Sequence, residues 1–120
     1  MLELADGASG SPGESVSRVA MHLQGLPMPL LQHEFRDRRG RIGYVDFWWP
    51  EFDLIGEFDG LGKYTRDDML SGRSPAEAVI AEKVREDRLR ALGPRVVRWG
   101  WECAISPPRL AEVLRRAGLH

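Results

Sequence analysis

The tightest constraint in this 120-residue sequence is a very short link between two strand-like runs. Arg41 to Trp49 alternates in the manner of a strand. Asp53 to Asp59 does so again, and only Pro50-Glu51-Phe52 lies between them. A link that short forces an antiparallel hairpin. With Glu51 and Phe52 as the loop, Pro50 falls opposite Asp53, Asp46 opposite Glu57, and Tyr44 opposite Asp59. Alternation places Ile42, Tyr44, Asp46 and Trp48 on one face and Val45, Phe47 and Trp49 on the other. Opposed side chains share a face, with Cβ atoms about 4.5–5.5 Å apart. The register is therefore expected to gather Asp46, Glu57 and Asp59 on one face of the sheet.

Like charges directly opposite one another destabilise a hairpin. Burying them unpaired costs several kcal/mol or drives their pKa values upward. A divalent cation removes both problems. Hard carboxylate oxygens suit Mg²⁺ or Mn²⁺, and a cation so held can activate water beside a phosphodiester. The acids sit among Val45, Phe47, Ile55 and Phe58, and Gly60 and Gly62 follow at once, which leaves room for a substrate backbone.

The rest of the chain supplies a scaffold. Residues 1–10 are small and polar and are expected to be disordered, leaving residues 11–120 as one domain. Ser11-Pro12-Gly13-Glu14 carries a capping signature for a helix with an apolar stripe of Val16, Val19, Ala20 and Leu23, ended by Gly25 and Pro27. Leu30 to Asp37 reads as a strand, joined to the next by the Arg38-Arg39-Gly40 turn. Residues 60–73 read as a long loop. Ser74-Pro75-Ala76-Glu77 opens a long helix to about Leu92, with Ile80, Val84 and Ala91 on its inner stripe. Arg95 to Trp101 is a central strand and Pro107 to Ala117 a short last helix.

Several residues have two readings. Lys63, past Asp59, and Lys83, on the long helix, are candidate phosphate- or water-binding lysines; the plain alternatives are a loop lysine and an ion pair of Lys83 with Asp87. Asp87 could instead orient Lys83. Glu14 is a capping-box acid or an accessory acid beside the metal. His22, His33 and His120 have no metal-ligand spacing. The four tryptophans read mostly as core, with one or two available to a nucleotide base. Seventeen basic against eighteen acidic residues give a net charge of -1, so any nucleic-acid contact must be local. Arg38, Arg39 and Arg41 are the local cluster. The single cysteine, Cys103, excludes an intramolecular disulfide and reads as a small buried apolar residue. No apolar run approaches a membrane span, so a reducing cytoplasm is the expected compartment.

The stretches Gly43-Tyr44-Val45-Asp46-Phe47 and Gly56-Glu57-Phe58-Asp59-Gly60-Leu61-Gly62-Lys63-Tyr64 resemble the core of an endonuclease-like family. Glu82 to Gly93, followed by Arg95-Val96-Val97-Arg98-Trp99, adds to the likeness. The chain from residue 11 to about 103 resembles uncharacterised bacterial proteins related to very-short-patch-repair endonucleases, within the PD-(D/E)XK superfamily. That resemblance implies an α/β fold: a restriction-endonuclease-like α-β-β-β-α-β core, a mixed central sheet flanked by helices, and here a short C-terminal helix. It implies Mg²⁺-dependent hydrolysis of DNA phosphodiesters, with Asp46 the first and Glu57 the second metal ligand. Asp59 would be a third ligand or water-orienting base. The sequence departs from the pattern twice. Val45 stands where the superfamily has proline, and Asp59 where it has lysine, so the water-activating role would fall to Lys63 or Lys83. Longer relatives carry a winged-helix, antitoxin-like module that is not found in this sequence. The function expected is that of a metal-dependent DNA endonuclease. The alternatives are an inactive nucleic-acid-binding or antitoxin-like module on the same fold, and an interaction domain with a structural Ca²⁺. The oligomeric state is left open.

Overall fold

The computed structural model describes residues 11–60 and 69–120. The disorder expected for residues 1–10, most of the 60–73 loop, and Lys63 lie outside the described residues. The domain is α/β, with a four-stranded mixed sheet in the order β1-β2-β3-β4. The strands are β1 (Leu30–Asp37), β2 (Gly40–Trp49), β3 (Leu54–Phe58) and β4 (Arg95–Trp99). β1–β2 and β2–β3 pair antiparallel, and β3–β4 parallel. The parallel pair needs a crossover, which carries the long helix α2 (Pro75–Ala91).

Local chemistry sets the element ends. The Ser11 side chain accepts the Glu14 N–H and caps α1 (Pro12–Leu23), with proline in the first turn. Ser74 and Glu77 close a reciprocal capping box at the start of α2. Between β2 and β3, Pro50–Phe52 forms one 3₁₀ turn, and Asp53 takes a left-handed conformation with φ 51°. That turn delivers Leu54 opposite Trp49, Ile55 opposite Trp48, and Gly56 opposite Phe47, the register expected from the sequence.

Two apolar layers flank the sheet. On one side Phe47, Trp49, Leu54 and Trp99 pack with α1, α3 (Trp101–Ala104) and α4 (Pro107–Arg116). The Phe47 and Trp99 rings stack with centroids 5.4 Å apart. α1 approaches closely through small residues: Gly13, Ser17 and Ala20 are buried with Met21. Ser17 Oγ donates to the Gly13 carbonyl (2.7 Å) and accepts from Trp99 Nε1 (2.9 Å). On the other side Val45, Ile55 and Leu89 form a smaller cluster with Phe35, Ile42, Trp48 and Val96.

Four expectations are corrected. Of the stripe expected on α1, Ala20 is buried and Val16 packs on the core, but Leu23 is 66% exposed; Gly13, Ser17 and Met21 complete the buried face, with Gly13 against the Phe58 ring. Strict alternation in β2 fails at Asp46. Val45 packs with Ile42 and Trp48, whereas Phe47 and Trp49 pack on the other side. Opposite Asp46, Gln32 has φ 48°, and no bridge joins the two. β4 is an edge strand among the described residues, not a central one, and it ends at Trp99; Gly100 caps α3, so Trp101 is not in a strand. Finally, Ile80, Val84 and Ala91 of α2 are exposed, and its buried residues are Ala78 and Leu89. The sheet beneath α2 presents Asp37 and Glu57, which attract Arg88 and Arg85 to the inner side.

Gly56 sits where the two tryptophans close over β3. A Cβ there would lie 2.8 Å from Trp99 Cη2 and 2.9 Å from Trp49 Cζ3. Gly56→Ala is therefore expected to cost about 1–3 kcal/mol in urea unfolding, as overpacking does. A loss of under about 0.5 kcal/mol would contradict this packing.

Candidate functional site

β2 and β3 part company at Asp46. Their bridges end at Phe47 and Gly56, yet β3 stays on β4 through Glu57 and Phe58. The Asp46 carboxylate fills the fork. Its Oδ2 accepts the Phe58 backbone N–H at 2.9 Å, a donor the departing strand leaves without a ladder partner. Its Oδ1 lies 3.4 Å from Gln32 Nε2. The same amide donates to Glu14 Oε1 at 2.9 Å. Glu14 is 8% exposed on the first turn of α1, and its Oε2 accepts the Ser11 hydroxyl at 3.2 Å.

Two carboxyls thus meet at one amide, Gln32 Nε2, and each also accepts a neutral donor of its own, the Ser11 hydroxyl or the Phe58 N–H. Burial, and then the Asp46 charge, push Glu14 up to about 8. Burial, and then the Glu57 charge, raise Asp46 as well, against the lowering effect of the Phe58 N–H. Near neutral pH the pair retains a proton.

Glu57, 6% exposed, answers to the opposite side of the sheet. Arg85 of α2 grips it with two hydrogen bonds, of 3.0 and 2.7 Å. Arg98, beside it on β4, reaches it at 3.3 Å. The network runs on through Glu82, Glu86 and Arg90. Asp46 and Glu57 therefore come one step past the last bridge, unpaired and without sharing a face. Asp46 turns toward α1 and Glu57 toward α2, although the Glu57 charge still acts on Asp46.

Among the described residues no group of three or more His, Cys, Asp or Glu is set to hold a metal ion. The donor chemistry divides. Glu14 and Asp46, two hard carboxyls with only neutral donors on them among the described residues, suit a hydrated divalent ion in place of their proton. Glu57 does not, as long as Arg85 occupies both of its oxygens.

The remaining expected site residues are scattered. Asp59 ends the β3 segment, its N–H on the Trp99 carbonyl at 2.7 Å. Lys83 pairs with Asp87 at 3.1 Å on the outer face of α2, both side chains being more than half exposed. Lys83 is therefore not brought to the acids. Arg38, Arg39 and Arg41 are exposed on the β1–β2 turn, and Arg41 lies over the Tyr44 ring. Cys103 is half-buried against the larger core. Sequence reading missed Gln32, Arg85 and Arg98. Nothing in a strand sequence marks a glutamine for left-handed backbone. Arg85 could have been found from its position three residues after Glu82, on the arc that also carries Leu89.

The raised carboxyls fix a pH dependence. Glu14 titrates at 4.5 when unfolded and about 8 when folded, so across that window the native state holds a proton that the unfolded chain has lost. Stability from this group is present at low pH and lost as pH rises toward 8. Glu14→Gln should gain stability relative to wild type between about pH 5 and pH 8, measured by urea unfolding at each pH. Parallel pH profiles for the two proteins would refute the buried pair.

Among known proteins, the chain is similar to the uncharacterised proteins MT2308 and Rv2248 of Mycobacterium tuberculosis, each 33% identical over 97 residues. The alignment covers 81% of this chain and 32% of each relative, so the chain spans about a third of the length of the proteins it matches. No protein-family profile matches the chain. No solved structure matches it.

Proposed function

We propose that this domain is the core of a metal-dependent endonuclease acting on DNA, of the PD-(D/E)XK kind that its sequence resembles. The observation that carries the reading is the pair of buried carboxyls, Glu14 and Asp46, facing each other in the β2–β3 fork with neutral donors around them. Such a pair costs stability unless a proton or a cation sits between its members. A bound Mg²⁺ or Mn²⁺ supplies Lewis-acid polarisation of the phosphodiester and a more acidic water. Asp46 and Glu14 would hold it, and Gln32 fixes the orientation of both carboxyls. Glu57 faces α2, so it would join them only if the end of β3 turned it to the α1 side once it had left Arg85. Asp59, next along β3, would hold or orient the water. Arg38, Arg39 and Arg41 lie about 17–20 Å along β2 from Asp46, within reach of neighbouring phosphates of the same duplex. They would bind without reading sequence, and more weakly in high salt.

A second reading has its own support. Glu57 is held by two guanidiniums, and no lysine stands two residues after it. Those features favour a nucleic-acid-binding module without catalysis.

Thermal melting and supercoiled-plasmid nicking, each with Mn²⁺, separate the two. The nuclease reading expects Mn²⁺ to raise the melting temperature by about 5 °C, an effect lost in Asp46→Asn. It expects nicking to fall about 100-fold or more in Asp46→Asn and in Glu57→Gln. Equal nicking by wild type and both variants overturns it. A thermal shift with no nicking leaves the binding module.

A further inference from the structure

α2 wears its aliphatic side chains on the outside. Val79 is 57% exposed, Ile80 64% and Val84 47%. At 100° per residue these three lie within one arc of about 140°, together with Ala76, Lys83, Asp87 and Ala91. All seven residues are exposed. Arg90, at the rim of the arc, is turned back onto Glu86 and the Val96 carbonyl. The opposite arc, with Ala78, Glu82, Arg85 and Leu89, faces the sheet. A helix that presents this face to water exposes apolar surface that another protein surface would cover.

The pattern along the face is self-complementary. Lys83 and Asp87 stand one turn apart as the charged pair in the middle of the stripe. Bulky Val79 and Ile80 lie toward one end and small Ala91 toward the other. Place a second α2 antiparallel, with the two-fold axis at the level of Arg85. Lys83 of each copy then meets Asp87 of the other. Val79 of each lies level with Ala91 of the other and Ile80 level with Arg90, and the two Val84 side chains meet near the axis. A parallel arrangement would set lysine beside lysine and bulk against bulk. Charge therefore selects the antiparallel, two-fold arrangement, an isologous contact.

We infer that α2 is a dimerisation helix, and that the occupant of its outer face is α2 of a second copy of this chain. This contact lies on the outer face of α2, opposite the Arg85 side, and does not depend on the nuclease reading. At about 25 Å of helix the contact is small, so the dimer is expected to be weak and concentration-dependent.

Sedimentation equilibrium of the whole chain over a concentration series tests this, with circular dichroism to confirm that each variant is folded. Wild type should pass from 13.6 kDa toward twice that mass as concentration rises. Val84→Asp should weaken dimerisation about 100-fold, and Lys83→Glu or Asp87→Lys alone about 10-fold. An equimolar mixture of the two charge variants should associate within about 3-fold of wild type, because every cross-pair is then opposite in sign. The inference is overturned by a 13.6 kDa species at every concentration, which would leave this face to a different partner. It is equally overturned by a dimer that Val84→Asp leaves intact, or by a mixture that associates no better than either variant alone.

Discussion

The fork between β2 and β3 is the interaction on which the rest of this structure depends. A single 3₁₀ turn, Pro50–Phe52, sets the register, and three bridges follow before the strands separate. Separation would strand the Phe58 N–H, and the Asp46 carboxylate takes it at 2.9 Å. A charged acceptor makes a stronger hydrogen bond than the carbonyl it replaces. The gain is offset by burial, which makes the ionised form of Asp46 expensive. The fork is therefore held open by a side chain that would rather be protonated or paired, and everything near it is arranged around that tension.

α1 adds the second acid because it can come close. Gly13 lies so near Phe58 that a Cβ would overlap the ring. Ser17 bonds inward to Trp99 instead of filling space. Close approach carries the first turn of α1, and with it Glu14, into the fork. The capping role that the sequence assigns to Glu14 and its place beside Asp46 are not rivals. One carboxylate oxygen faces the Ser11 hydroxyl and the other the Gln32 amide.

What the sequence made legible was chemistry between near neighbours. Both helix caps and the hairpin register follow from residues within a few positions of one another, and the mixed sheet follows from the order of the elements. What it hid were pairings across the chain. Arg85 reaches Glu57 and Arg88 reaches Asp37, partners 28 and 51 residues away. Where Gln32 takes left-handed backbone the β1–β2 ladder skips Asp46, and Val45 and Phe47 on either side of it face opposite layers, which no periodicity reveals. The same irregularity is why a correct register did not place Asp46 and Glu57 on one face.

Three acids near one fork cannot all remain ionised in a dry site. The fold answers in two ways. On the α1 side burial raises Glu14 and Asp46 toward their neutral forms, while Glu57 is compensated by Arg85 and Arg98 on the other. The second answer has a cost in patterning. Arg85 and Arg88 occupy positions on α2 that a simple amphipathic helix would give to aliphatic residues, and Leu89 alone is fully buried there. Each arginine also brings its own acid, so Glu82 and Glu86 fill the flanks. The aliphatic residues that remain have only the outer face left to them. The exposed Val79, Ile80 and Val84 stripe is thus the far end of the same electrostatic problem that opens at Asp46.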